Sequence, residues 1–223
     1  MRWPAIFCVF FLASSGSAQP VSGPDEVVRS TVAELAELVS ACRLQLAADP
    51  VAVRGLIEQR LRPRADVLFA ARRVLGRHWR EASPEQRRRF ADALYGTLVN
   101  RYASGLLLLT RDNVQVPVPG AGGRPGGDEA LTEVELRIRT GLPEPVAVFL
   151  QARRNNGQWR IYDARWEDQS YVLSLRDIYA APIRREGLEA VIRRLEASAG
   201  SPPGAPEARR TLAGRCLRAA MTD

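Results

Sequence analysis

Apolar positions in the first half of the chain recur at steps of three and four residues, which is the period of an α-helix. A first helix is predicted from Asp25, with Asp25 as its cap. Its apolar stripe consists of Val28, Val32, Leu35, Val39, Cys42 and Leu46. Asp49 followed by Pro50 predicts the start of a second helix, and Pro63 ends it. The chain therefore begins with consecutive amphipathic helices.

Two more helices are predicted before the pattern changes. The third spans about residues 65 to 79 and carries Val67 and Leu75 on its apolar face. The segment Ser83-Pro84-Glu85-Gln86 is a capping box that begins the fourth. One face of this helix presents Phe90, Leu94, Leu98 and Tyr102 at intervals of one turn.

From Asn113 the apolar positions alternate with polar ones, which is the period of a β-strand. A Gly- and Pro-rich stretch over 119–127 predicts a mobile loop, and Asn156-Gly157 predicts a tight hairpin between antiparallel strands. The alternating apolar residues are Val114, Val116 and Val118, then Val134, Leu136 and Ile138, then Val146, Val148 and Leu150, and finally Trp159 and Ile161.

Helical patterns resume over about 175–185 and 188–195. We therefore expect the α+β class: N-terminal helices, a small curved antiparallel sheet, and C-terminal helices that together enclose an apolar cavity. One domain over residues 19–196 is expected. A flexible tail follows over 197–223, and a last helix around Cys216 is left open there.

The first eighteen residues have the three parts of a secretory signal peptide. Arg2 supplies the positive charge, an apolar run extends from Ala5 to Ala13, and Gly16 and Ala18 are small enough for cleavage after residue 18. The alternative is a membrane anchor, but the apolar run is about half of the ~20 residues needed to span a bilayer. We expect an exported, periplasmic protein.

Composition removes several reaction classes. All 32 basic residues are arginines, so a P-loop lysine and a Schiff-base lysine are excluded. One His and three Cys offer little for metal chemistry, and no metal or cofactor is expected. The net charge of +7 would suit nucleic acid, but export disfavours that partner. Cys42 and Cys216 either form a disulfide in an oxidising compartment or remain thiols.

Few residues are candidates for catalysis. His78 has no Ser or Cys nucleophile nearby in sequence and is interpreted as a surface residue at a helix C-terminus. Asp163, Glu167 and Asp168 could act as acids or bases in a cone-shaped fold, but Asp163 is expected to pair with an arginine and the other two to be solvated. No enzymatic activity is expected.

Two stretches of the chain carry a family resemblance. The first is Val74-Leu75-Gly76-Arg77-His78-Trp79-Arg80-Glu81-Ala82-Ser83-Pro84-Glu85-Gln86-Arg87 with Phe90 and Tyr102, preceded by Pro63 and Asp66. The second is Trp159-Arg160-Ile161-Tyr162-Asp163 with Ser170, Arg176 and Gly187-Leu188-Glu189-Ala190-Val191-Ile192. Together they resemble the MlaC family, also called the toluene-tolerance family. The similarity covers about residues 25–196. Glu167-Asp168-Gln169-Ser170 departs from the Glu-Gly-Val-Ser of the family, and Tyr179 replaces a Phe.

The resemblance implies a periplasmic carrier that holds the acyl chains of a phospholipid in an apolar pocket and maintains the outer membrane. Its implied partners are the lipid ligand, an inner-membrane ABC transport complex and an outer-membrane lipoprotein, with transient membrane contact. A divergent branch of the family, associated with hopanoid-producing bacteria, makes a hopanoid-type cargo an alternative.

Candidate lipid-binding residues come from the alternating strands and from the helix faces. Tyrosines suit the mouth of a pocket because their rings are apolar and their hydroxyls polar, and Arg176 is the candidate for a head-group or partner contact. The lipid-binding candidates are Val67, Leu75, Leu94, Leu98, Val134, Leu136, Ile138, Val146, Val148, Leu150, Trp159, Ile161, Tyr162, Tyr171 and Tyr179. The same residues could fill an ordinary core, so an envelope adaptor with a filled core and a small secreted enzyme remain alternatives.

Overall fold

A computed structural model of the chain describes residues 23–117, 131–200 and 212–220. The predicted signal peptide, Val118 and the loop over 119–127 lie outside these residues.

The N-terminal half is helical, as predicted. In chain order its elements are α1 (Pro24–Ala47), α2 (Pro50–Arg60), a 3-10 turn (Arg62–Arg64), α3 (Val67–Leu75), α4 (His78–Glu81), α5 (Pro84–Tyr102) and a 3-10 segment (Ala103–Leu108).

Two of the predicted helix starts are confirmed in atomic detail. The Asp49 carboxylate accepts a hydrogen bond from the backbone N–H of Ala52 at 2.9 Å and so caps α2. Ser83 and Gln86 exchange side-chain and backbone bonds at the start of α5, which completes the capping box. The expectation that Asp25 caps α1 is wrong: the cap position is Gly23, and no side chain bonds there.

The third predicted helix is shorter than expected because Gly76 interrupts it. Gly76 has φ +54°, a left-handed conformation that only glycine adopts easily, so α3 stops at Leu75. His78 therefore begins the one-turn helix α4 instead of lying at a helix C-terminus, and its Nδ1 lies 3.2 Å from the Glu81 carboxylate.

The strands form one antiparallel sheet in sequential order: β1 (Val114–Gln115), β2 (Leu131–Ile138), β3 (Val146–Asn155), β4 (Gln158–Trp166) and β5 (Gln169–Ser170). The predicted hairpin joins β3 to β4, with φ +49° at Asn156 and +78° at Gly157. Positive φ at both central residues is the geometry that Asn-Gly favours.

Helices return after the sheet as α6 (Tyr171–Glu186), α7 (Leu188–Ala199) and α8 (Leu212–Ala220). The helix α6 begins at Tyr171, four residues before the start predicted from the sequence at about residue 175. Ser170 caps it by accepting a hydrogen bond from the N–H of Leu173. The helix left open around Cys216 is present, and a disulfide joins Cys216 to Cys42 of α1.

Buried side chains form three main clusters. The first, which we call the helical core, lies among α3, α5, α6 and α7. A second cluster joins α1, α2, the 3-10 segment and α8. The third lies where Val28 and Val32 of α1 contact Val134 and Leu136 of β2. Helices first, an antiparallel sheet next and helices last confirm the α+β class.

Candidate functional site

The side of the sheet that faces α1, called here the sheet face, gathers most of the strand residues predicted from the sequence. Residues paired directly across antiparallel strands share a face. The register pairs Val134 with Leu150, Leu136 with Val148, and Ile138 with Val146 and Val114. It extends into β4 by pairing Ala152 with Ile161 and Arg154 with Trp159. The alternation of the sequence is therefore realised as one apolar surface.

A β-bulge in β4 extends this surface further than the sequence pattern predicts. Tyr162 is an extra residue opposite the step from Gln151 to Ala152. The bulge changes the phase of β4, so that Ala164 and Trp166 lie on the sheet face, opposite Leu150 and Val148. Simple alternation from Trp159 would have placed Asp163 and Arg165 there instead.

The sheet face is only partly covered. Val134 and Leu136 are buried against α1, but Ile138, Val148, Leu150 and Ile161 are partly buried although they lie on the inner side of the sheet. Trp166, on the same face, is 60% exposed. The helix α1 contributes Val28 and Val32 to this contact, together with Val27 against Ala152 and Trp159. A partly accessible apolar surface beneath one helix has the chemistry required to bind an apolar ligand.

The helical residues in the predicted set lie elsewhere, in the helical core. Leu75 and Leu94 are 2% and 3% exposed and are packed among other helix side chains. Val67 and Leu98 are partly buried against the same cluster. The predicted set is therefore divided between the sheet face and the helical core, and Leu75 and Leu94 have the packing of ordinary core residues.

Tyr171 and Tyr179, two of the three predicted tyrosines, both pack against the helical core, whereas Tyr162 lies on β4. Tyr162 packs edge-on against Phe69 and beneath Arg73. Tyr179 packs against Phe90 in the helical core.

Tyr171 donates its hydroxyl proton to the Tyr102 hydroxyl at 2.8 Å. Burial, followed by this hydrogen bond, raises the pKa of Tyr171 above its usual value, so the phenol stays protonated. Tyr102, 49% exposed, pairs with Tyr171 at the surface. Tyr171 and Tyr179 are therefore neighbours at the helical core, and Tyr162 packs against Phe69 and Arg73 instead.

Arg176 lies on α6 beside Gly76 and lines two adjoining clefts of about 420 and 230 Å³. A Cβ placed on Gly76 would lie 3.0 Å from the Arg176 guanidinium, so the guanidinium rests directly on the glycine backbone. The other cationic residues in the larger cleft are Arg72, Arg73 and Arg80. This concentration of arginines is not visible in the sequence because the contributing helices are separated by about a hundred residues.

Asp163, the acid considered for catalysis, has a structural role. Its carboxylate accepts hydrogen bonds from the Ser170 hydroxyl at 2.5 Å and from the N–H groups of Ala164 and Val172 at 2.8 and 2.9 Å. The expectation of an arginine partner is therefore wrong. Asp163 fixes the junction between β4 and α6, and its oxygens are already occupied by donors. Asp168 is fully exposed, as expected for a solvated loop residue.

A second buried carboxylate, Asp66, attaches the helical core to the sheet. Asp66 caps α3 by accepting from the N–H of Phe69 at 3.1 Å. Its other oxygen lies 3.1 Å from Nε of Arg153 on β3 and accepts from Asn155. The sequence offers two signals for Asp66: it precedes an apolar helix, and it falls where the resembled family has an aspartate.

A third cleft, of about 500 Å³, lies between α2, α5 and α7. Its charges neutralise one another: Arg62 bonds to Asp92, and Arg89 bonds to Glu196. Burial raises the pKa of Glu58 in this cleft, opposed by the nearby Arg62. The balanced charge gives the cleft no preference for an anion or a cation.

Within 23–117, 131–200 and 212–220 there is no group of three or more His, Cys, Asp or Glu side chains that could hold a metal ion. None of the helices in those ranges is long and apolar enough to cross a membrane.

Known proteins resemble this chain in sequence and in fold. The chain is 20% identical over 184 residues to the intermembrane phospholipid transport system binding protein MlaC of Haemophilus influenzae. The matched region covers 81% of this chain and 84% of that protein. The fold is similar to the solved structure of a phospholipid-binding protein from Ralstonia solanacearum in complex with a phospholipid. That similarity has a TM-score of 0.68 and 20% identity, and it covers 80% of this chain and 97% of the other. The MlaC protein family model matches residues 29–197, and the chain belongs to the MlaC family.

Proposed function

We propose that the protein is a lipid carrier that holds the acyl chains of a phospholipid against the sheet face, between the strands and α1. The observation that carries the proposal is the incomplete burial of Ile138, Val148, Leu150 and Ile161 on the inner side of the sheet. Apolar side chains on an inner face are normally covered, and here one helix covers them only in part. The phospholipid named for the two related proteins supports the same ligand class.

The energetics are suited to carriage. Burying a lipid CH₂ group contributes roughly 0.8 kcal/mol, so acyl chains provide a large driving force that offsets extraction from a bilayer. The same driving force makes release into water unfavourable. Unloading therefore requires contact with another apolar environment, which a membrane-bound partner provides.

The proposed cellular setting follows from this need. The carrier works in the periplasm, receives or delivers lipid at an inner-membrane transport complex, and exchanges it with an outer-membrane lipoprotein. Its cargo is a phospholipid, and a hopanoid-type lipid is the alternative within the same pocket. Transfer leaves the cargo chemically intact, so no catalytic residue is required.

The residues have separate proposed roles. The acyl chains contact Ile138, Val146, Val148, Leu150 and Ile161, and Trp166 lies at the exposed end of the same surface. Arg176 is proposed as a head-group or partner contact because it lies in a cationic cleft. Leu75 and Leu94 stabilise the helical core instead of touching the lipid.

The test is the lipid content of protein purified from periplasm without detergent, measured by organic extraction and mass spectrometry. The wild-type protein is expected to carry lipid in stoichiometric amounts. Val148→Asp, which places a charge on the sheet face, should abolish loading while the protein stays folded. Ala147→Asp is the matched control, since Ala147 pairs with Arg137 on the opposite face, and it should retain lipid.

Absence of stoichiometric lipid from the wild-type protein, together with no uptake from labelled vesicles, would overturn the carrier proposal. Unfolding of Val148→Asp would instead show that Val148 is an ordinary core residue, and the assignment of the pocket to the sheet face would fail.

A further inference from the structure

Six exposed arginines line two clefts beside Gly76. Arg89, Arg165 and Arg62 each bond to carboxylates. Within the described part of the chain, the arginines of this group form no ion pair, and they come from three helices: Arg72 and Arg73 of α3, Arg77 and Arg80 around α4, and Arg176 and Arg184 of α6.

These side chains line two clefts that meet at Arg176. The larger contains Arg72, Arg73 and Arg80, and the smaller contains Arg77 and Arg184. Arg73 lies over the Tyr162 ring, 5.7 Å from its centre, and is held in place by that contact.

The carboxylates nearest in sequence do not neutralise the group. Glu81 contacts His78, and Asp177 follows Arg176 without lining either cleft. The positively charged guanidinium groups that line the same clefts repel one another. An anion bound among them would reduce that repulsion.

The apolar neighbours indicate what kind of anion fits. Leu173 lines the larger cleft and is 43% exposed, and Leu68, one helical turn before Arg72, is 48% exposed. Exposed leucines beside arginines are typical of a surface that lies in the interface of a bilayer, where the leucines enter the acyl boundary and the guanidinium groups bind phosphates. An acidic protein surface would explain the arginines but leave the leucines in water.

We propose that the two clefts that meet at Arg176, called here the Gly76 arginine clefts, dock the protein onto the head groups of anionic phospholipids in a membrane surface. The inference rests on the proposed carrier function, because it supplies the membrane contact that loading and unloading require. Gly76 lies at the centre of this surface. Its left-handed conformation ends α3, and its missing side chain leaves room for Arg176.

The experiment is co-sedimentation with vesicles of phosphatidylcholine alone and with vesicles of phosphatidylcholine and phosphatidylglycerol in equal parts. Wild-type protein should bind only the anionic vesicles, and added salt should release it. Each arginine near an anionic surface contributes roughly fivefold to binding, so Arg72→Gln combined with Arg80→Gln should weaken binding by about tenfold or more.

The matched control is Arg111→Gln combined with Arg193→Gln, which removes the same charge from exposed arginines that are paired with Glu37 and Glu189. It should weaken binding by less than about twofold. Equal losses in the two double variants would reduce the effect to net charge and overturn the proposal. Binding by wild type to neither vesicle would also overturn it and leave an acidic protein as the occupant.

Two further readouts keep the conclusions separate. Release of vesicle-bound protein by dilute glycerol phosphate would overturn membrane docking in favour of a site for small anions. Lipid content is measured on the same preparations: a wild-type protein that lacks lipid but still binds anionic vesicles through Arg72 and Arg80 would refute the carrier function and leave the docking surface standing.

Discussion

The helical core and the sheet face are built from the same kinds of residue but are covered differently. In the helical core, Phe90, Val191 and Ile192 are completely buried, because four helices pack against one another around them. On the sheet face, Val148 and Leu150 remain partly accessible beneath the single helix α1. The difference lies in the number of layers that cover an apolar surface. One region is a filled core, and the other keeps the partly accessible apolar surface on which the proposed lipid site rests.

Removing the disulfide should change the stability more than any other variant proposed here, because the disulfide holds α1, the helix that covers the sheet face. It closes a separation of 174 residues between Cys42 of α1 and Cys216 of α8. Replacing both cysteines with serine should lower the free energy of unfolding by about 2–5 kcal/mol. Chemical denaturation with and without reductant measures the loss.

The loss should also be regional. Hydrogen exchange in the double serine variant should increase in α1 and α8 more than in α7, which belongs to the helical core. Equal increases in α1 and α7 would show that the two regions unfold as one unit and would remove the distinction between them.

Two valines provide a direct comparison with identical chemistry. Val191→Ala in the helical core should cost about 1.5–3 kcal/mol, since it leaves a cavity among fully buried side chains. Val148→Ala on the sheet face should cost less than about 1 kcal/mol, because its side chain is already partly accessible. Urea unfolding of lipid-free protein measures both. A loss at Val148 as large as at Val191 would mean that the sheet face is a filled core.

The smallest expected effect concerns the charges at the outer edge of the helical core. Hydrogen bonds from Arg89 hold the pKa of Glu189 and of Glu196 below the usual value of 4.5. A carboxylate whose folded-state pKa is lowered stabilises the fold above its unfolded pKa, and this contribution disappears as the pH falls through the folded-state pKa.

Arg89→Gln should therefore lower the denaturation midpoint at neutral pH. Below about pH 4.5 the midpoint of the variant should approach that of the wild type. Both carboxylates are exposed, so the effect is small. If the difference in denaturation midpoint between the wild type and Arg89→Gln stays constant down to strongly acidic pH, the contact between α5 and α7 is stabilised by packing alone and not by these charges.

Several features of the fold were predictable because their signals are local. The caps at Asp49 and Ser83 and the Asn156-Gly157 turn each depend on residues within a few positions of one another. The sequence does not predict the end of α3 at Gly76, because a glycine inside a helical pattern is often tolerated and the close approach of Arg176 to its backbone exists only in the folded chain.

The candidate site was predictable only in part. Alternation identified the apolar residues of β2 and β3, but it could not identify the bulge at Tyr162 that brings Trp166 to the same face. Nor could it separate Leu94, which fills the helical core, from Leu150, which lies on the sheet face. Both are apolar residues in regular patterns, and the sequence alone does not state what lies opposite them.

The sequence by itself determined the order and type of the long helices and strands, the α+β class and the absence of lysine chemistry, because propensity, capping and composition are properties of the chain near each residue. Only the tertiary structure decided which apolar surface is filled and which is open, and that arginines from α3, α4 and α6 meet around Gly76. Burial and charge proximity depend on distances between segments far apart in the chain, and those distances exist only once the helices have packed.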